Sequence, residues 1–469
     1  MNIITRFSPS PTGYLHIGSV RTALYSWLFA RSKNGKFILR IEDTDVVRSN
    51  KQHYKQHILD SMTWLGINWD YGPYYQTNRL SRYYSIIDYM LKNNIAYKCF
   101  CTENRLKVLR QSQLINKIKP KYDGHCRNIR YINNSSINYV IRFRNPDNGC
   151  VIFKDLIRGE ISFNNNEIDD LIILRTNNIP TYNFCSVIDD YDMGITHVIR
   201  GAEHINNTPR QINILKSLDM NLPNYAHLSI LLDNNGKKLS KRNKSNNIMY
   251  YYNNGILKEA LLNYIIKLGW SYGNKEIFNL KEVINLFNLN KINKAPIKFD
   301  INKLLWYNKY YMNNLSINYI VNNFINYTKF LNLSFDKNTK IKDLLKLTIS
   351  RCSTMKEIID NYQYLYSNKV NLNLNYLNNF NIKDKLIFIN AFENFLLNLK
   401  RSDSWSVYKI QNILDQVLLN KENKNIFYQL LRFSVTNNYA SPPLSQIIYI
   451  IGKLNIINRI KNFIELIKK

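Results

Sequence analysis

Two short segments carry side chains suited to phosphate chemistry. The first reads Arg6-Phe7-Ser8-Pro9-Ser10-Pro11-Thr12-Gly13-Tyr14-Leu15-His16-Ile17-Gly18-Ser19. Its prolines and Gly13 stiffen a loop, and His16 and Gly18 fall where a helix would begin. Free N–H groups and a partial positive charge at a helix N-terminus can hold a phosphate. Gly18 permits close backbone approach, and a histidine there can donate to a phosphate oxygen. The second segment, Gly236-Lys237-Lys238-Leu239-Ser240-Lys241-Arg242, sets four cations within six residues. Lys238 and Lys241 are placed to neutralise charge building on a departing pyrophosphate. Each segment has a plainer reading: a lone His-x-Gly is an ordinary turn, and a cation run is a solvated turn.

The elements that would position these residues alternate. Asn2 to Phe7 predicts a strand, Ser19 to Arg31 a helix with Ser19 as N-cap and Gly35 just past its end, and Lys36 to Ile41 a second strand. Strand, helix, strand opens a doubly wound α/β sheet, in which ligands bind at the carboxyl ends of the strands. Arg6 to Ser10 and Glu42 to Asp45 both fall there. Fourteen of the 15 glycines lie at or before Gly273, and nine of the 11 prolines at or before Pro296. The last third has few turn residues and helical apolar spacing, as in Leu386, Ile389, Phe392 and Leu396, or Ile410, Ile413, Leu414 and Leu418. It predicts an all-helical domain.

At 469 residues the chain needs two to four cores. Its 64 Lys and Arg exceed its 34 Asp and Glu by a formal +30. Such an excess favours a polyanionic partner through counterion release, although abundant Asn, Ile, Lys and Tyr also fit an AT-rich genome, which would inflate the charge. The N-terminus lacks the apolar core of a signal peptide, and no run of apolar residues reaches membrane-spanning length. Six scattered cysteines fit a reducing cytosol better than a disulfide framework.

Together the two basic and glycine-containing segments, some 220 residues apart, resemble the "HIGH" and "KMSKS" signatures of class I aminoacyl-tRNA synthetases, in the forms of bacterial-type glutamyl-tRNA synthetases. Phe37-Ile38-Leu39-Arg40-Ile41-Glu42-Asp43-Thr44-Asp45, Pro180-Thr181-Tyr182-Asn183-Phe184 and Thr196-His197-Val198-Ile199-Arg200-Gly201 match further family segments, so the resemblance covers nearly the whole chain. It implies ATP, Mg2+, L-glutamate and tRNA(Glu) as reactants and partners, a cytoplasmic monomer, and no membrane association.

By the same resemblance, Arg200 pairs with the side-chain carboxylate of glutamate, Arg6 and Tyr182 line that pocket, and Ser8, Ser10 and Glu42 hold the amino acid. His16, Gly18, Glu203, Leu231, Lys238 and Lys241 serve ATP. A fixed arginine fork suits a carboxylate, and Glu42 suits an ammonium. The alternative for Arg200 is a structural ion pair with Asp189 or Asp190. Where the family often has Gly-Glu-Asp-His, this chain has Gly201-Ala202-Glu203-His204, which keeps the acid expected at the ATP ribose but not the one before it. Cys99, Cys101 and, after 24 intervening residues, Cys126 match a family zinc site, but the expected fourth ligand position holds Asn128, a poor zinc donor. Three reduced cysteines in a metal-free subdomain are the alternative. Cys150, Cys185 and Cys352 are expected to be packing residues. Arg351 matches a position where family members that charge only glutamate tRNA meet the third anticodon base; the alternative is a surface arginine bonded to Glu357.

The implied architecture is a doubly wound, Rossmann-like nucleotide-binding catalytic domain of the HUP type at 1–98 and 189–240. An acceptor-end-binding insertion occupies 99–188, a stem-contact region 241–322 and an all-helical anticodon-binding domain 323–469. Three rival readings are a transferase of glutamate to a modified base, a small-molecule adenylyltransferase, and a non-catalytic RNA-binding relative. The helical last third argues against the first, and the length of the chain, with its tRNA-sized surface, against the second. Retention of His16, Gly18, Lys238 and Lys241 argues against the third.

Overall fold

The computed structural model describes residues 2–45, 52–129, 138–233, 235–239, 247–333, 340–367, 372, 385–417, 419–438 and 440–468. Its strands are β1 Ile4–Phe7, β2 Lys36–Ile41, β3 Tyr71–Tyr75, β4 Ala96–Cys99, β5 Val140–Phe143 and β6 Cys150–Asp155. They continue as β7 Gly159–Asn164, β8 Ile172–Leu174, β9 His197–Gly201, β10 Asn224–Leu228, β11 Leu231–Leu232 and β12 Ile297–Lys298. The helices used below are, in chain order, α1 Ile17–Ser32, α2 Gln52–Leu65, α3 Leu80–Lys92, α4 Glu103–Ile115, α5 Tyr182–Asp192 and α6 Thr208–Ser217.

The chain forms two compact units, residues 1–251 with 261–301, and residues 252–260 with 302–469. The first is built on a seven-stranded sheet of order β3-β2-β1-β9-β10-β6-β7. Every pairing is parallel except that of β6 with β7. Strand β1 has β2 on one side and β9 on the other. Successive connections therefore diverge there, which opens the crevice where doubly wound folds take their ligands. Strands buried on both faces read as unbroken apolar runs. Phe37, Ile38, Leu39 and Ile41 of β2 obey that rule; Arg40, fully buried among them, does not.

The expected β1–α1–β2 start is present, with corrections at its ends. The first strand begins at Ile4, and α1 begins at Ile17 with His16 as its N-cap, not Ser19. The His16 imidazole does the work of a capping oxygen, so the helix starts two residues earlier. β2 spans Lys36–Ile41 as expected. Residues 99–188 do not stand apart from the sheet. β4, β5 and β8 make a separate three-stranded sheet, but β6 and β7 between them in sequence pair into the main one.

Phe184, Ile188, Ile214 and Tyr83 form the centre of one apolar cluster on α5, α6 and α3. Fully burying one such side chain stabilises by about 1.5–3 kcal/mol.

The second unit is helical from Asn302 onward among the described residues, apart from short 3-10 turns and loops. Its core packs Phe392 against Phe427 and, edge to face, Phe463, with ring centroids 4.8 and 5.3 Å from that of Phe392. Ile389, Phe392 and Leu396 are buried as their spacing predicted, but Leu386 is 74% exposed, in the first turn of the helix Lys385–Arg401.

Candidate active site

The loop leaving β1 enters α1 through His16, whose extended backbone ends the loop and whose side chain caps the helix. His16 Nδ1 accepts from the backbone N–H groups of Gly18 at 3.1 Å and Ser19 at 3.4 Å. With that lone pair engaged, the neutral ring carries its proton on Nε2, which lies 2.8 Å from Ser19 Oγ. The histidine is thereby set as a donor on its outer edge. A Cβ on Gly18 would crowd the ring, 3.1 Å from its Cε1 and Nδ1, so a larger residue there would press on His16.

Arg6, Ser8, Ser10, His16, Gly18, Glu42, Tyr182, Arg200, Glu203, Leu231 and Lys238 all line one open cleft at the β1/β9 switch. Lys241 lies outside the described residues, as do Ser240 and Arg242.

The floor of the cleft is a buried charge network. Arg6 donates from Nε to Asp190 Oδ1 at 3.1 Å, and Arg40 Nη1 donates to the same oxygen at 2.8 Å. Arg40 Nη2 donates to Glu42 Oε1 at 3.1 Å. Burial pushes the Glu42 carboxyl up to about 7, against the pull of Arg40 and Arg6. Asp190 goes the other way: burial opposes its charge, but Arg6 and Arg40 outweigh burial and hold it below the usual carboxylate range. The acid at Asp190 is thus partnered with Arg6 and Arg40. The ion pair considered for Arg200 with Asp189 or Asp190 is not formed. Arg200 instead donates from Nε to His227 Nε2 at 3.1 Å and from Nη2 to Thr208 Oγ1 at 2.9 Å.

Tyr182 begins α5, its ring 5.7 Å from that of His204. Glu203 sits in the 3-10 turn Ala202–Asn207 after β9. It folds back so tightly that a Cβ on Gly201 would meet its Oε2 at 2.3 Å. Across the cleft, Lys238 Nζ is 3.7 Å from Glu203 Oε1. The lysine is carried on a turn after β11 in which Asp233 Oδ1 accepts from the backbone N–H groups of Asn235 and Lys237 at 2.9 Å each.

Residues that sequence reasoning missed stand behind these. Arg21, one turn into α1, lines the cleft and is buried, donating to the carbonyls of Leu268 (3.1 Å) and Ser229. Arg40 interrupts a continuous apolar strand, and Asp189-Asp190 interrupts an apolar helix face. A charge inside a buried run was the available signal. His227, Asp155 and Thr208 had none.

Apart from the cleft, the Sγ atoms of Cys99, Cys101 and Cys126 lie within 4.8 Å of one another. Cys101 and Cys126 are 3.5 Å apart. The Tyr122 hydroxyl closes the group, 3.4 Å from Cys99 Sγ and 3.6 Å from Cys101 Sγ, and accepts from the Cys126 backbone N–H at 2.9 Å. His125 and Asn128 are exposed beside it. Cys185 and Cys352 are buried, but Cys150 is exposed at the start of β6, its thiol 2.9 Å from Asn164 Oδ1, so it is not the packing residue expected.

In the helical unit, Arg351 ends a 3-10 turn and is exposed. Glu357 is engaged elsewhere: it accepts from the Ser353 N–H, while its own N–H donates to the Thr354 cap. The pairing of Arg351 with Glu357 is not formed.

A family model described as "tRNA synthetases class I (E and Q), catalytic domain" matches residues 2–306, and one described as "Anticodon binding domain" matches residues 319–464. The chain is 49% identical over 467 residues to the glutamate–tRNA ligase of Buchnera aphidicola subsp. Cinara cedri, covering 99% of this chain and 98% of that one. It is 43% identical over 471 residues to that of Legionella pneumophila (strain Paris), covering 100% and 99%. Among solved structures, a glutamate tRNA ligase from Elizabethkingia meningosepticum in complex with its amino acid superposes with TM-score 0.82 at 29% identity, covering 99% of each chain. No described helix is long and apolar enough to cross a membrane.

Proposed function

The chain belongs to the class I tRNA synthetases of the glutamate and glutamine group and ligates glutamate to tRNA, and we propose the following division of that work among its residues. The observation that carries the reading is Arg200, a buried guanidinium lining the cleft with no acid on it, while Arg6 beside it is spent on Asp190. A cation free of an internal counter-charge suits the side-chain carboxylate of glutamate. Glu42 faces its ammonium, with Ser8, Ser10 and Tyr182 completing the pocket.

ATP, bringing Mg2+ as part of the substrate, lies along the α1 N-terminus with its ribose on Glu203 and its base near Leu231. The glutamate α-carboxylate attacks the α-phosphorus; the bond to the β-phosphate oxygen breaks and pyrophosphate leaves. His16 and the positive end of the α1 dipole stabilise charge at the α-phosphorus, and Lys238 with Lys241 stabilises the leaving group. A terminal ribose hydroxyl of tRNA then attacks the adenylate carbonyl and AMP departs. The second cleft, which shares Tyr182 and is lined by Arg110, Lys121, Arg142 and Arg175, suits the acceptor end. Residues 323–469 serve the anticodon, and the protein acts as a monomer.

The three thiols and the Tyr122 oxygen fit a zinc ion. Tetrahedral ligands at about 2.0–2.3 Å from zinc stand some 3.3–3.8 Å from each other, and the 3.4, 3.5 and 3.6 Å separations here match. Zinc held there would staple the subdomain and takes no part in the reaction.

Pyrophosphate exchange that requires glutamate, measured with and without tRNA, tests the reading. Exchange driven equally by glutamine, or no exchange under either condition, would overturn it.

A further inference from the structure

Asp155, His227 and Arg200 lie at the carboxyl ends of β6, β10 and β9, three neighbours in the main sheet. Arg200 and His227 are register partners across β9 and β10, and Asp155 pairs with Tyr225 across β6 and β10. The side chains of Asp155 and His227 are wholly buried. Asp155 Oδ1 accepts from the backbone N–H groups of Ile157 at 2.9 Å and Arg158 at 2.8 Å. Its Oδ2 accepts from the His227 backbone N–H at 3.1 Å and lies 2.6 Å from His227 Nδ1. A carboxylate so supplied with donors takes the Nδ1 proton as a hydrogen bond, which leaves His227 Nε2 with a lone pair.

That lone pair has a use. A guanidinium has only donors, and Arg200 Nε points one at Nε2 from 3.1 Å. Nη2 is held by Thr208 Oγ1 at 2.9 Å, and that hydroxyl also lies 3.1 Å from His227 Nε2 and 3.3 Å from the His204 carbonyl, so it ties the arginine to the imidazole a second time. Among the described residues, Nη1 makes no hydrogen bond and is left for the cleft. The other charged or titratable groups about His227 are Arg158, whose Nε donates to the His227 carbonyl at 3.3 Å, Tyr225, stacked at 6.3 Å, and His204 on the far side of Thr208.

The choice of imidazole has an electrostatic reason. An acid placed directly on Arg200 would orient it but cancel the charge that the substrate needs, as Asp190 does for Arg6. A neutral imidazole orients the fork and leaves its charge to the ligand, while the acid that fixes the imidazole's tautomer stays one ring away. We propose that Asp155 and His227 are positioning residues for amino-acid selection: together they lock the Arg200 fork in the orientation that receives a substrate carboxylate. The inference rests on the reading of Arg200 as the residue that binds that carboxylate.

The test is pyrophosphate exchange with glutamate and ATP varied separately. His227→Leu removes the acceptor and is expected to raise the glutamate KM by roughly tenfold or more, the loss that goes with one hydrogen bond to a charged group, with the ATP KM unchanged. His227→Gln offers a carbonyl oxygen near the Nε2 position and is expected to restore most of the glutamate KM. Wild-type glutamate KM in both variants overturns the inference, as does a parallel rise of both KM values, which marks a merely structural cluster. Arg200→Gln separates the two layers: if it leaves glutamate use intact, the reading of Arg200 itself fails. A nitrogen-15 histidine spectrum of the unmutated protein needs no variant to fold. A slowly exchanging ring protonated at Nδ1 and bare at Nε2 at neutral pH is expected, and its absence overturns the inference.

Discussion

Lys238 and Glu203 meet across the mouth of the cleft at 3.7 Å, the cation proposed for the leaving phosphate resting on the acid proposed for the ribose. Both side chains are about half exposed, at 57% and 44%. A pair this open contributes roughly 0.2–1 kcal/mol, small enough for a triphosphate to break. Lys238→Ala is therefore expected to slow adenylate formation by ~10²-fold with the glutamate KM little changed, and Lys241→Ala to do the same. Single-turnover adenylation rates decide it; unchanged rates would reduce both lysines to surface charges.

Glutamate binding should depend on pH through Glu42. Its carboxyl is pushed up to about 7 by burial, against Arg40 and Arg6. Only the ionised form pairs with an ammonium, so the glutamate KM is expected to rise as pH falls below about 7, approaching tenfold per unit. Glu42→Gln should weaken binding and flatten that profile. The same shift has a stability side. The folded pKa exceeds the ordinary carboxyl value of 4.5, so this group's contribution is fully present below about 4.5 and is lost as pH rises through about 7. A flat KM profile in the unmutated protein between pH 6 and 8 would exclude Glu42 from the ammonium site.

Zinc content gives a third check. With three sulfurs and one phenol oxygen, purified protein is expected to carry at most one equivalent and to yield it to chelator more readily than a four-thiolate site. Tyr122→Phe should quicken release, and Cys126→Ser should abolish binding. Identical release from wild type and Tyr122→Phe would remove the tyrosine from the ligand set, and a metal-free wild type would dismiss the site.

Arg351 can be examined by charging two transcripts. The glutamate and glutamine anticodons differ at their third base, cytosine against guanine, and an arginine can stack on a splayed base and hydrogen-bond its edge. Exposed, and with Glu357 occupied by its own helix cap, Arg351 is available for such a contact. A strong preference for glutamate tRNA is expected in the wild type and a narrowed ratio in Arg351→Gln. An unaltered ratio takes Arg351 out of recognition.

What was legible beforehand was local. The β1–α1–β2 order and the placing of loops at the strand ends follow from short-range spacing and residue type, and the cleft that gathers His16, Gly18, Glu42 and Arg200 was anticipated through the resemblance of their short segments to a family. Two kinds of feature were hidden. One is a cap supplied by an unusual residue: Ser19 is the better capping type, yet His16 does the capping. The other is long-range pairing. Nothing in the sequence near Asp155 announces that it will lie against His227, 72 residues later, because sheet order is set by tertiary packing. Arg40 and Asp190, 150 residues apart in one buried pair, belong to the same class.

The passage of β6 and β7 into the main sheet also bears on what can be cut from this molecule. The polypeptide leaves the small sheet after β5, lays two strands on the catalytic sheet, and returns to the small sheet as β8. The two sheets are thus sewn together by a double crossing and do not form a detachable cassette on a hinge. Excising residues 99–188 would strip β10 of its neighbour and leave a raw parallel edge open to pairing with other chains. It would also carry away Asp155. A trimmed enzyme that kept the hairpin Cys150–Asn164 and closed the gaps on either side would be the smaller piece worth building.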